Sequence, residues 1–137
     1  MVWGYWHAVN GSGRDPLIQV APPPSPEALA EAERRQRVQQ LALDRAEALL
    51  LDHLSSEQAA SWLRDRFFDV IGGLTRTRYR LNRGLVANID VLDGEQRRRY
   101  RLCGLPAGQL PVPDVLLAQK FSLEHNEQHF LQLARVH

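Results

Sequence analysis

The sequence predicts an α+β fold with an extended arm in front of it, and three observations carry that expectation. Apolar residues recur at spacings of three and four from Val38 to Leu50. They alternate from Thr75 to Leu81 and again towards Cys103. Apolar patches at helical spacing return at Val115, Leu116, Ala118 and Phe121 and at Phe130, Leu131 and Ala134. Helices, then a three- or four-stranded antiparallel meander, then C-terminal helices is an α+β order rather than an alternating α/β one.

The chain begins with three aromatic rings, Trp3, Tyr5 and Trp6. A glycine- and proline-rich tether follows, ending in Ala21-Pro22-Pro23-Pro24-Ser25-Pro26. Nothing in residues 1–25 can build a core, and clustered prolines favour polyproline II at about 3.1 Å per residue. Residues 1–25 therefore read as an extended arm, and residues 26–137 as one α+β domain with an N-terminal helical stalk.

Ser25-Pro26-Glu27 places an N-cap serine, a first-turn proline and a first-turn acid in the order a helix start favours. That helix runs to about His53. Its first half is mostly charged, from Glu27 to Arg37. Its second half carries the stripe Val38, Leu41, Ala42, Ala46, Leu49 and Leu50, expected to be buried. Ser55-Ser56-Glu57-Gln58 matches a capping box and opens a short helix that should bury Ala59, Trp62 and Leu63 and end before Phe67.

Strands follow. Phe67–Ile71 closes at Gly72-Gly73, and Thr75–Leu81 alternates strictly. Asn82-Arg83-Gly84 turns the chain into Val86–Leu92, and Asp93-Gly94 reads as a two-residue hairpin turn before Arg97–Cys103. Gly104 to Pro113 is an irregular connection, after which Asp114 or a neighbour caps the helical end.

Composition excludes several classes. At 137 residues, with 44% hydrophobic and 24% charged content, the chain reads as a single ordinary globular domain plus an appendage. The single cysteine excludes an internal disulfide framework. No apolar run approaches the roughly 20 residues a bilayer span needs. The N-terminus shows no basic segment leading into an apolar one, so no signal peptide and no membrane partner are expected. Of the 17 basic residues all but Lys120 are arginine. Arginine presents a planar fork suited to carboxylates and phosphates.

Those arginines are patterned. Period-two geometry puts Arg76, Arg78 and Arg80 on one face of the second strand, and Arg97, Arg99 and Arg101 on one face of the fourth. Asn88 and Asp90 are expected to share that face between them. Two readings stand: an anion-binding surface for phosphates, or a solvated face whose aspartate and glutamate pair with cross-strand arginines. Tyr79 and Tyr100 fall on the opposite, apolar face, so the arginine face is not the aromatic platform of single-strand binders.

His125 and His129 are four apart, but the Asn126-Glu127-Gln128 between them does not form a zincin motif, and a third ligand would have to come from Cys103 or His53. They read as exposed or capping histidines, and no metal or cofactor is expected. Cys103 reads as a small buried hydrophobe, without the base and oxyanion donors a nucleophile needs. Gly72-Gly73 and Gly11-Ser12-Gly13 read as turns rather than phosphate loops.

From about residue 38 to 135 the chain resembles a family of small uncharacterised proteins encoded by tailed bacteriophages, prophages and some bacteria. The resemblance rests on Leu49-Leu50-Leu51 to Gln58, Phe67-Phe68-Asp69-Val70-Ile71, Arg78-Tyr79-Arg80-Leu81-Asn82-Arg83-Gly84 to Asn88-Ile89, and Leu117-Ala118-Gln119-Lys120 to Glu124. Where such relatives carry Cys-x-His-Pro, this chain has Cys103-Gly104-Leu105-Pro106. The resemblance implies a phage-related context, in the virion or the host cytoplasm, and names no activity. Joined to the aromatic arm, it leads to the expectation of a non-enzymatic structural or assembly protein of a phage particle. Trp3, Tyr5 and Trp6 would bind neighbouring protein subunits, since Trp and Tyr dominate interface hot spots. The alternative is a nucleic-acid-binding accessory or regulatory protein using the arginine face.

Overall fold

The structure, a computed structural model, describes residues 21–137, so the expected partner-binding residues Trp3, Tyr5 and Trp6 lie outside the described residues. The chain divides into two compact units, Met1–Glu33 and Arg34–His137. In the first unit Ser25 opens helix α1 (Pro26–Asp52) as its sequence predicts. Its Oγ accepts from the Ala28 N–H at 3.1 Å and its carbonyl from the Leu29 N–H at 3.0 Å.

The second unit is α+β. Helix α2 (Ser56–Asp65) leads into a four-stranded antiparallel meander: β1 (Phe67–Ile71), β2 (Arg78–Asn82), β3 (Ile89–Leu92) and β4 (Arg98–Cys103). Helices α3 (Val112–His125) and α4 (Glu127–Leu133) follow. A short fifth strand, β5 (Arg135–Val136), returns to pair with β4, so the sheet order is β1-β2-β3-β4-β5.

One face of the sheet builds the core. Phe68 and Val70 of β1, Tyr79 and Leu81 of β2, Ile89 and Val91 of β3 and Leu102 of β4 meet Leu50, Trp62, Leu116, Leu117 and Leu123 from the helices. Burying each such large side chain stabilises the fold by roughly 1.5–3 kcal/mol. Because successive strand residues point to opposite faces, the same alternation sends Asp69, Arg78, Arg80, Asp90 and Arg101 to the outer face.

The capping box of α2 forms in full. Gln58 N–H donates to Ser55 Oγ at 3.2 Å, and Ser55 N–H donates to Gln58 Oε1 at 3.0 Å. The same Gln58 side chain also donates to the Asp69 carbonyl at 2.7 Å, tying the start of α2 to β1. Trp62 Nε1 donates to Glu47 Oε1 at 3.0 Å, joining α2 to α1. Arg66 in the left-handed region (φ 59) ends α2 before Phe67.

Two apolar expectations are corrected. The stripe on α1 is not one buried face: Ala46 and Leu50 are buried, but Val38, Leu41 and Leu49 are 66%, 56% and 46% exposed. Neighbouring helix residues point about 100° apart, so the line through Ala46 and Leu50, which is buried, turns Leu49 outward. In α2 Trp62 is buried while Leu63 stays exposed.

The loop between β1 and β2 is shaped by the joint between α3 and α4. Asn126 (φ −147, ψ 44) breaks the helical run, and α4 restarts at Glu127 directly against Gly72 and Gly73. Gly73 N–H donates to the Leu123 carbonyl at 3.0 Å. A β-carbon at Gly73 would overlap the Glu124 carbonyl oxygen, and one at Gly72 would overlap the Glu127 carboxylate. The two glycines are a turn, as expected, and they are also what lets the helix joint approach.

Candidate anion-binding sheet face

Across the outer face, one row of the register reads Asp69, Arg80, Asp90, Arg101, one residue from each meander strand. The signs alternate, and the row is internally paired. Arg80 grips Asp69 through Nε at 2.8 Å and Nη2 at 3.1 Å. Its guanidinium also lies 4.2 Å from the centre of the Phe67 ring. Asp69, then its own burial acting against it, set the Arg80 pKa, and the net direction is upward. Arg101 Nε donates to Asp90 Oδ1 at 2.9 Å, and Asn82 Nδ2 donates to Asp90 Oδ2 at 3.0 Å.

The adjoining row is different. It reads Ile71, Arg78, Leu92, and then Arg98, because the β3–β4 register shifts between Val91 and Leu92. Leu92 pairs with Arg98 while Val91 pairs with Tyr100, which leaves Arg99 as the extra residue of a bulge. Two residues opposing one both emerge near the same face. Arg98 approaches Asp90 Oδ1 only to 3.9 Å, and Arg78 reaches Asp69 at 3.3 Å. Arg99 and Arg76 make no ion pair among the described residues.

Six arginines (Arg76, Arg78, Arg80, Arg98, Arg99, Arg101) therefore stand on or beside the outer face against two aspartates, an excess of four positive charges. The excess is gathered at the end nearest the hairpin and the β1–β2 loop. There Arg76, Arg78 and Arg99 line one polar basin of about 510 Å³ together with Thr75, Thr77 and Asp93. The hairpin tip has its own ion pairs, one arginine to two carboxylates: Arg97 pairs with Asp93 at 3.5 Å and with Glu95. Asp93 Oδ1 accepts from the Glu95 and Arg97 N–H groups, each at 2.9 Å. The Arg97 backbone N–H is the largest of the influences that hold the Asp93 carboxyl below its usual range.

Several sequence expectations are thereby corrected. Arg97 is not on the face; it precedes β4, and Arg98 takes the face in its place through the bulge. Arg76 is not in a strand, because β2 begins at Arg78 and Arg76 sits in the left-handed region at φ 60. The hairpin turn is not two residues long. Asp93 N–H donates to the Arg97 carbonyl at 2.8 Å, closing a loop over Gly94, Glu95 and Gln96, with Gln96 at φ 61. Three-residue loops of this kind carry a left-handed residue at their end. Asn88 does not face outward either. Ala87 (φ 47) breaks the alternation before β3, and the buried Asn88 amide pairs reciprocally with Gln119 on α3 at 2.8 and 3.1 Å.

The residue that sequence reasoning missed is Glu127. It is 2% exposed and accepts from Leu74 N–H at 2.7 Å, Thr75 N–H at 2.8 Å, Tyr79 OH at 2.6 Å and the Thr75 hydroxyl. Burial alone would raise its pKa, but these donors, Thr75 and Tyr79 foremost, outweigh it and hold the carboxyl below its ordinary value. Burial first, and the bond to Glu127 second, push the Tyr79 phenol well above its ordinary value. Glu127 is thus an anion that clasps the loop bearing Arg76.

Other chemistry does not assemble. His125 ends α3 and His129 lies in α4, beyond the Asn126 break, and both are exposed. Among the described residues no group of three or more His, Cys, Asp or Glu is placed to hold a metal ion. Cys103 lines an apolar cleft of about 440 Å³ with Phe130 and Leu133, and its thiol makes no hydrogen bond or ion pair among the described residues. No helix among the described residues is long and apolar enough to cross a membrane. No protein-family model, curated protein or solved structure matches the chain.

Proposed function

We propose that this chain is a non-enzymatic accessory protein that docks a polyanion, a nucleic-acid backbone, on the outer face of its sheet. The observation that carries the reading is the excess of four arginine charges over the two aspartates on that face, supplied by arginines that are exposed or only half-buried. A structural network alone would balance its signs, as the row through Asp69 and Asp90 does; the neighbouring row does not. Phosphate contacts need cations without demanding base-reading side chains. The core position of Tyr79 keeps its ring off the outer face, which fits backbone contact better than base stacking; Tyr100, expected on the apolar face beside it, is instead 38% exposed.

The test is fluorescence-polarisation binding of single-stranded and duplex oligonucleotides at low salt. The wild-type chain is compared with Arg76→Ala/Arg98→Ala/Arg99→Ala/Arg101→Ala. Wild-type binding that the quadruple variant loses, with its thermal melt retained, supports the reading. No binding by wild type, or equal binding by the variant, ends it.

A second reading is that the chain is an assembly protein of a bacteriophage particle, with Trp3, Tyr5 and Trp6 anchoring neighbouring subunits. The exposed apolar residues Val38, Leu41 and Leu49 on α1 favour a protein-facing surface. Deleting residues 1–25 should then weaken assembly while the melt of the remaining domain changes little. A truncated chain that assembles with wild-type affinity removes this reading.

A further inference from the structure

We propose that the basin between the β1–β2 loop and the β3–β4 hairpin is a discrete seat for one tetrahedral phosphate-class oxyanion. Arg76, Arg78 and Arg99 are its cations, and Glu127 is the residue that positions Arg76. The inference rests on reading the outer face as a polyanion surface, and it adds the place, the ligand group and the supporting residue.

The basin holds three guanidinium-bearing residues and one carboxylate, Asp93. That carboxylate already accepts from two backbone N–H groups and pairs with Arg97, which lies outside the basin. Arg76 and Arg99 have no carboxylate partner among the described residues, and Arg78 has only the 3.3 Å approach to Asp69. Guanidinium forks match phosphate oxygens in pairs, and such charge-assisted bonds are stronger than neutral ones. At about 510 Å³ the basin also leaves room beyond the anion for the group attached to it.

Two special backbone features aim the unpaired cations. Arg99 is the extra residue of the bulge, a device that re-aims a side chain. Arg76 sits at φ 60, uncommon for a residue other than glycine, and its N–H donates to the Gly72 carbonyl at 3.2 Å. The two residues before it, Leu74 and Thr75, are held through their N–H groups by Glu127. Thr75 Oγ1 in turn accepts from Thr77 N–H at 3.2 Å, closing the turn around Arg76. The Glu127 charge is spent inward on these donors, so it fixes the loop and does not line the basin.

Titrate inorganic phosphate into the full chain and follow backbone amide shifts by NMR. The seat predicts shifts centred on residues 75–78 and 97–100. Arg76→Ala and Arg99→Ala should each weaken phosphate binding by about tenfold or more, whereas Arg64→Ala, on α2 and away from the outer face and the basin, leaves it within about twofold. Glu127→Gln should weaken phosphate binding in the wild-type background but add nothing in the Arg76→Ala background. A purely structural role for Glu127 would lower affinity equally in both. Thr75→Val, which keeps the carboxylate and removes one of its donors, gives the same readout if the Glu127 variant does not fold. A 5′-phosphorylated oligonucleotide binding more tightly than its unphosphorylated twin assigns the seat to a terminal monoester; equal affinity with phosphate competition assigns it to the backbone diester. No amide response to millimolar phosphate, or a response that Arg76→Ala and Arg99→Ala leave intact, overturns the seat. Phosphate binding here without any oligonucleotide binding would uphold the seat and remove the polyanion reading.

Discussion

Replacing Glu127 by glutamine isolates the charge of the buried clasp from its shape. In the wild type one carboxylate receives four donors: two backbone N–H groups, the Thr75 hydroxyl and the Tyr79 phenol. A glutamine can still offer its oxygen to the backbone pair, and its amide nitrogen can donate to the two hydroxyls once they rotate. What disappears is charge assistance. Hydrogen bonds to charged groups contribute about 1.5–3 kcal/mol against about 0.5–1.5 for neutral ones, a difference of about 1 kcal/mol per bond. Four bonds sharing one carboxylate are not additive, and the carboxylate's desolvation cost is relieved at the same time, so roughly 2 kcal/mol is expected in total. For a unit of this size that lowers the melting temperature at pH 7 by about 8 °C.

The pH dependence has a definite sign. The folded Glu127 carboxyl titrates below its ordinary value of 4.5. Its contribution is therefore full above that value and is lost as pH falls through the folded pKa. Circular-dichroism melts of both proteins should show a gap that is constant near neutrality and closes in acid. A gap that persists unchanged to the acid limit, or no gap at pH 7, would refute the clasp as an electrostatic feature.

Other perturbations probe the frame around the site. Gly73→Ala pushes a methyl group into the Glu124 carbonyl, which no rotamer relieves, so denaturant melts should show a loss of roughly 1–3 kcal/mol or more. Gln119→Leu strands the buried Asn88 amide and the Gly104 carbonyl it binds at 2.7 Å, at a cost of roughly 1–3 kcal/mol; adding Asn88→Leu should cost less than the sum of the two single changes.

Much of this architecture is local in origin, and that part was legible in the sequence. Ser25 and the Ser55/Gln58 box are interactions within one turn, so their residues announce them. The meander follows from alternation, and Tyr79, Leu81, Ile89 and Val91 emerged with the right face. What alternation cannot report is an extra residue. The bulge at Arg99 exchanges Arg97 for Arg98 on the outer face, and nothing in a run of three arginines marks which one is surplus. Asn88 escaped the pattern because Ala87 adopts a left-handed conformation that alanine seldom signals. Glu127 and Gln119 were illegible for another reason: their partners lie 15 to 53 positions away in the chain. The glycine pair at 72 and 73 was the available clue, since two adjacent glycines after an apolar strand also suit the close approach of another segment. On α1 the spacing of Val38, Leu41 and Leu49 is helical, but only the line through Ala46 and Leu50 is buried.

The most direct measurement of the polyanion reading is the salt dependence of oligonucleotide affinity for the intact chain. Four unbalanced arginine charges meeting four phosphates predict a slope of log K against log salt of about −3 for a single strand, reduced by about one for each of Arg76, Arg98 and Arg99 removed. A slope near zero, or one that these substitutions leave unchanged, would contradict it.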